Sequence, residues 1–162
     1  MAPRLGLVLG VLLLGACAAS AAKGENGWYS FNEGYAAAVK QGKPMVIDVY
    51  TDWCHWCKVM DKDTFAAPAV KKVLDEKFIP IKINAESKSE RIKFEGKDLS
   101  AAEFAAGAGV DGYPTLLFMD KAGKYVTKVP GFIKAPDFLE MLEFIRLEAY
   151  KKQSFDDFLK SR

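Results

Sequence analysis

The stretch "MVIDVYTDWCHWCKVM", Met45–Met60, joins a β-branched apolar run to two cysteines spaced three apart. The run predicts a buried strand over Met45–Thr51. The residues that follow the cysteines predict a helix. A strand passing straight into a helix presents Cys54 at the helix N-terminus, where unpaired N–H groups and the helix dipole favour a thiolate. Cys57 then lies one turn deeper on the same side. Two residues stand out: Asp48 among Val46, Ile47 and Val49, and His55, the single histidine of the chain.

Four chemistries compete for this pair. A closed zinc site needs four ligands, usually from two separated clusters. Cys54, His55 and Cys57 form one cluster with no second, so no metal is expected. Covalent haem needs the histidine after the second cysteine, and Lys58 stands there instead. A purely structural disulfide across so small a loop adds little chain-entropy stabilisation. A redox pair fits the placement: Cys54 attacks a disulfide, and Cys57 resolves the mixed disulfide.

Composition supports an exported globular domain. The chain has 162 residues, half of them hydrophobic, and a formal net charge of +2. That length suits one domain with a single core. No basic block points to nucleic acid. The apolar run Leu5–Ala16 after Arg4 is too short to span a bilayer comfortably and suits a signal segment. "LGAC", Leu14–Cys17, resembles the bacterial lipobox, which implies lipidation of Cys17 and a membrane anchor. Cleavage further along "CAASAA" is the alternative. The expected organisation is 1–16 signal peptide, 17–27 lipidated N-terminus and tether, and 28–162 folded domain with a C-terminal helical tail. Removing Arg4 with the signal leaves the domain nearly neutral. Export permits disulfides.

Ser30 and Glu33 suggest a capping box for a helix that Gly42 and Pro44 end. A helix after the cysteines is interrupted near Pro68 and restarts. Phe78–Asn84 is a second strand, with Lys82 inside it. Residues 85–98 read as a loop with little fixed structure. A short helix follows, then the strand "YPTLLFMD", the turn "KAG", a fourth strand "KYVTKVPGF" and an amphipathic helix from Ala135. The tail from Gln153 extends that helix or packs separately. The implied fold class is α/β, a mixed central β-sheet flanked by helices, with parallel strands and a C-terminal antiparallel hairpin.

From about Trp28 to Tyr150 the chain resembles the thioredoxin superfamily. "WCHWC", Asp48 six residues before Cys54, Lys82 in "IKIN", and "YPT" at Tyr113–Thr115 occur in that family's order. The resemblance implies a thioredoxin fold and five catalytic residues: Cys54, Cys57, Asp48, Lys82 and Pro114. Asp48 would move the proton on and off Cys57, with a pKa raised by burial. Lys82 would accompany it. Pro114 would be cis and set the Tyr113 backbone beside the disulfide. Trp53 is expected to pack beside the cysteines and cover them, with Trp56 and Tyr113 completing a substrate-docking surface and Phe132 a weaker addition. No cofactor beyond the Cys54–Cys57 redox disulfide is implied.

"WCHWCKVMDKDTF" is most similar to exported members with the W-C-x-W-C-K pattern, a group that includes periplasmic disulfide-interchange reductase domains. That implies partners among exported protein thiols and disulfides, and a membrane or periplasmic electron donor. His55 tunes the potential in this reading. Its charge would favour the Cys54 thiolate, whereas Trp56 would screen the pair from water. Reduction is the expected direction, with an oxidase or isomerase using the same pair, or a non-catalytic binding module, as alternatives.

Overall fold

The computed structural model describes residues 23, 24 and 27–162. Cys17, the expected signal segment and most of the expected tether lie outside the described residues.

Helix α1 (Phe31–Gln41) ends where Gly42 turns left-handed at φ 62°. The Ser30 hydroxyl donates to the Glu33 carboxylate at 2.9 Å, but neither side chain caps a backbone N–H, so the expected box does not form. Strand β1 (Met45–Tyr50) follows, then α2 (His55–Met60), whose N-cap is Cys54. A π-helical turn at Asp61–Phe65 continues α2 before α3 (Pro68–Lys77) restarts with proline in its first turn, where no N–H is needed. Strand β2 (Ile79–Asn84) completes a strand–helix–strand unit.

Residues 85–98 differ from expectation. They include β3 (Arg91–Phe94) and the first half of β4 (Lys97–Ser100), an antiparallel hairpin closed by Glu95 and Gly96 at φ 49° and 75°. Two left-handed residues make the turn whose twist matches paired strands. Ile92 anchors the hairpin in the core. Helix α4 (Ala101–Gly107) carries the full capping box that α1 lacks, between Ser100 and Glu103. Strands β5 (Thr115–Met119) and β6 (Tyr125–Pro130) form the C-terminal hairpin. Helix α5 (Ala135–Arg146) is followed by a 3₁₀ turn at Ala149–Lys151. Then α6 (Phe155–Lys160) packs as a separate element through Phe158.

The main sheet has the order β2-β1-β5-β6, with β1 parallel to β2 and antiparallel to β5. Both faces of β1 are buried, which is why its sequence is a continuous apolar run. Met45, Ile47 and Val49 face α1 and α4 with Ile81, Ile83, Leu117 and Phe104. Val46 faces the other layer with Met60, Leu74, Leu116, Phe138 and Leu142. Full burial of each such side chain contributes roughly 1.5–3 kcal/mol. Strand alternation puts Asp48 on the Val46 face, the layer covered by α2.

Candidate active site

The strand-to-helix passage is four residues long, from Thr51 to the N-cap Cys54. The Cys54 N–H donates to Thr51 O at 3.2 Å, and Cys54 sits at φ −69°, ψ 107°, extended rather than helical. Its sulfur accepts the Cys57 N–H at 3.1 Å. This is the geometry of an N-cap, with sulfur in place of the usual oxygen. The two cysteines form a disulfide with S–S 2.12 Å, χ3 82° and Cα–Cα 5.3 Å. In the reduced protein the same N–H would donate to a Cys54 thiolate as a charge-assisted bond.

Both cysteines are buried, while the tryptophans beside them are not. Trp53 is 66% exposed and Trp56 55%. Trp53 stands next to the buried pair with most of its own surface open to solvent. Its indole N–H donates to Glu86 Oε2 at 3.0 Å, and its ring meets Tyr113 edge-on at 6.0 Å. Trp56 leans on Phe132, with ring centroids 5.5 Å apart, and His55 meets Trp56 at 5.7 Å. The Tyr113–Pro114 bond is cis. The Pro114 carbonyl accepts the Gly131 N–H at 2.8 Å, which ties this loop to the segment carrying Phe132. Two aromatic pairs thus flank the disulfide.

Beneath α2, Asp48 is 1% exposed. Lys82 is its register partner across the parallel β1–β2 ladder, so both side chains leave the same face. Lys82 Nζ lies 3.0 Å from Asp48 Oδ2, an ion pair without hydrogen-bond alignment; among the described residues neither Asp48 oxygen accepts a hydrogen bond. Burial raises the Asp48 pKa to about 6; Lys82 pulls it down and Asp61 pushes it up. Burial opposes the Lys82 charge, but the carboxylates of Asp48 and Asp61 outweigh it and hold the ammonium pKa above its ordinary value. A carboxylate that titrates near neutrality can exchange a proton during turnover.

Sequence reasoning missed two contributors. Asp61 reaches Lys82 Nζ at 2.5 Å. It stands four residues after Cys57, one helical turn on, and that spacing was its signal. Glu86 had no comparable signal, because its bond to Trp53 depends on how the chain leaves β2. Among the described residues, no cluster of three or more histidine, cysteine, aspartate or glutamate side chains is arranged to hold a metal ion. No helix among them is long and apolar enough to cross a membrane.

Known proteins resemble this chain in sequence and fold. A family model described as a thioredoxin-like domain matches residues 31–146. The thiol:disulfide interchange protein DsbD of Cronobacter sakazakii is 36% identical over 107 residues, 64% of this chain and 17% of that protein. Its namesake in Actinobacillus pleuropneumoniae is 35% identical over 104 residues, 63% of this chain and 16% of that protein. The chain therefore spans only a small part of the curated relatives it matches. Among solved structures, the oxidised C-terminal domain of Neisseria meningitidis DsbD aligns with TM-score 0.54 and 27% identity, over 70% of this chain and 90% of that one. A thioredoxin-fold protein from Helicobacter pylori aligns with TM-score 0.64 over 80% of this chain and 92% of that one, at 23% identity, a likeness of fold. With the family match spanning the mixed sheet and the Cys54–Cys57 disulfide at its helix N-cap, the chain belongs to the thioredoxin-like domain family, as an oxidoreductase of the C-x-x-C type.

Proposed function

We propose that this chain is a thiol–disulfide oxidoreductase of the bacterial cell envelope that reduces disulfides of exported proteins. The observation that carries the reading is the Cys54 sulfur at the α2 N-cap, bonded to Cys57 and accepting its N–H. In the reduced protein the Cys54 thiolate attacks one substrate sulfur. A mixed disulfide forms and the first substrate thiolate leaves. Cys57 then gives its proton to Asp48, and its thiolate attacks the Cys54 sulfur. The second substrate thiolate leaves and is protonated. Two electrons pass from the pair to the substrate, and the Cys54–Cys57 disulfide is regenerated. Lys82 holds the Asp48 charge between turnovers. Trp53, Tyr113, Trp56 and the Pro114 loop receive the substrate chain, and His55 tunes the potential.

Three things support the envelope setting and the direction. The relatives are named thiol:disulfide interchange proteins. The apolar run ahead of "LGAC" fits export and lipidation at Cys17. An oxidising compartment already contains oxidants, so a reductant is what a misoxidised protein needs there. A membrane or periplasmic dithiol donor would then re-reduce the pair. In an insulin-reduction assay with dithiothreitol, the protein accelerates precipitation and Cys54→Ser abolishes the effect; retained activity overturns the assignment. A potential near about −270 mV supports reduction, and one near about −120 mV reverses the direction. Palmitate labelling lost in Cys17→Ser tests the anchor.

A further inference from the structure

Lys82 is held from more sides than one ion pair requires. Its ammonium lies 4.9 Å from the Tyr50 ring centroid, 5.3 Å from Trp28 and 5.7 Å from Phe65, all within cation–π reach. Two carboxylates share it: Asp48 at 3.0 Å on the buried side and Asp61 at 2.5 Å on the solvent side. Exposure rises along this row, from 1% for the Asp48 side chain through 18% for Lys82 to 47% for Asp61.

Trp28 comes from outside the strand–helix–strand unit. The Tyr29 N–H donates to Pro80 O at 2.9 Å and the Lys82 N–H donates to Tyr29 O at 3.1 Å, which fastens this segment alongside β2. The Trp28 ring then packs on Phe65 with centroids 4.8 Å apart. With Gly27, Asp61, Phe65 and Lys82 it lines a cleft of about 460 Å³ that opens beside α2.

We propose that Trp28 and Asp61 are positioning residues for the Asp48–Lys82 pair: Trp28 keeps the Lys82 ammonium within reach of Asp48, and Asp61 draws part of that charge toward the surface. Lysine has a flexible stem and a strongly hydrated head. Removing a ring face lets the ammonium turn to water, and Asp48 loses its counter-charge. Removing the Asp61 carboxylate does the reverse, because it frees Lys82 for Asp48 and removes a like charge. Among the described residues, the groups acting on Asp48 are Lys82 from β2 and Asp61 from the end of α2, with Tyr50 two residues along β1. Strand β5 presents the apolar Leu116 opposite. Lys58 and Lys62 line the outer cleft.

The proposal rests on the reading of Asp48 as proton acceptor for Cys57, so two measurements separate them. Carboxyl-carbon NMR follows Asp48 in the oxidised protein, where no thiol titrates. Asp61→Asn moves its midpoint toward acid and Trp28→Leu moves it toward alkali, each on the order of half a pH unit, while Trp28→Phe stays near the wild type. Should Trp28→Leu not fold, Trp28→Met removes the ring face while keeping apolar bulk. An unmoved midpoint in Asp61→Asn, or equal shifts in the leucine (or methionine) and phenylalanine variants, overturns the positioning roles. The pH profile of mixed-disulfide resolution is then measured on the same variants. Midpoints that move as stated with a profile that does not follow leave the positioning roles standing and remove Asp48 as the acceptor.

Discussion

Asp48 and Lys82 stand directly opposite each other in the parallel β1–β2 ladder, and their charged atoms meet 3.0 Å apart beneath the cysteine helix. A strand otherwise built for burial carries an acid there, and the only charge beside it on the neighbouring strand is shared with Asp61. Burial raises the pKa of this carboxylate to about 6, within reach of physiological pH, and this has consequences for both stability and rate.

The first concerns stability. The folded Asp48 pKa of about 6 exceeds its ordinary value of 3.8, so the folded state holds the proton more tightly than the unfolded one. The stabilising contribution is fully present below about pH 4 and is lost as pH rises through about 6. Asp48→Asn has no such loss. Urea unfolding of the oxidised variant should show a gain of up to about 3 kcal/mol at pH 7–8, shrinking toward none below pH 4. Equal differences at both ends of the range would contradict the burial argument.

The second concerns rate. If Asp48 accepts the Cys57 proton, resolution of a mixed disulfide on Cys54 carries an inflection near pH 6 in the wild type. In Asp48→Asn the inflection disappears, and the rate at pH 7 falls by about tenfold or more. Stopped-flow release of a fluorescent peptide thiol measures both.

The aromatic flanks give a third expectation. Trp53→Ala and Trp56→Ala should each raise KM for a disulfide-bonded protein substrate by about five- to thirtyfold, while leaving reaction with a small disulfide nearly unchanged. Both rings are mostly exposed, so thermal stability should shift little. A parallel loss with small and large substrates would place these residues in the chemistry rather than in docking.

A fourth tests the packing that sets β2. A methyl group on Gly34 in α1 would lie 2.7 Å from Ile81 Cδ1 and 2.9 Å from Tyr29 Cβ. Gly34→Ala should therefore destabilise by about 1–3 kcal/mol as α1 is pushed off the sheet. Denaturant unfolding reads this directly.

The site was legible in the sequence where strand chemistry makes exceptions conspicuous. Asp48 interrupts β-branched residues, Lys82 interrupts isoleucines, and the cysteines follow a strand end. Each exception marks a position that packing alone does not explain. The β3–β4 hairpin was not legible by alternation. Its strands are four residues long and mostly polar, and only Ile92 is fully buried. Glu95–Gly96 was the available signal, a two-residue turn with both residues left-handed. The contributions of Trp28 and Glu86 arise only when distant segments meet, and spacing along the chain carries no trace of them.

In the proposed reaction Cys54 attacks and Cys57 resolves. Intact-mass analysis after mixing a reduced variant with a disulfide-bonded protein tests this most directly. Cys57→Ala should accumulate a stable mixed disulfide on Cys54, and Cys54→Ser should accumulate none. An adduct on Cys57 in Cys54→Ser, with none on Cys54 in Cys57→Ala, would contradict the account.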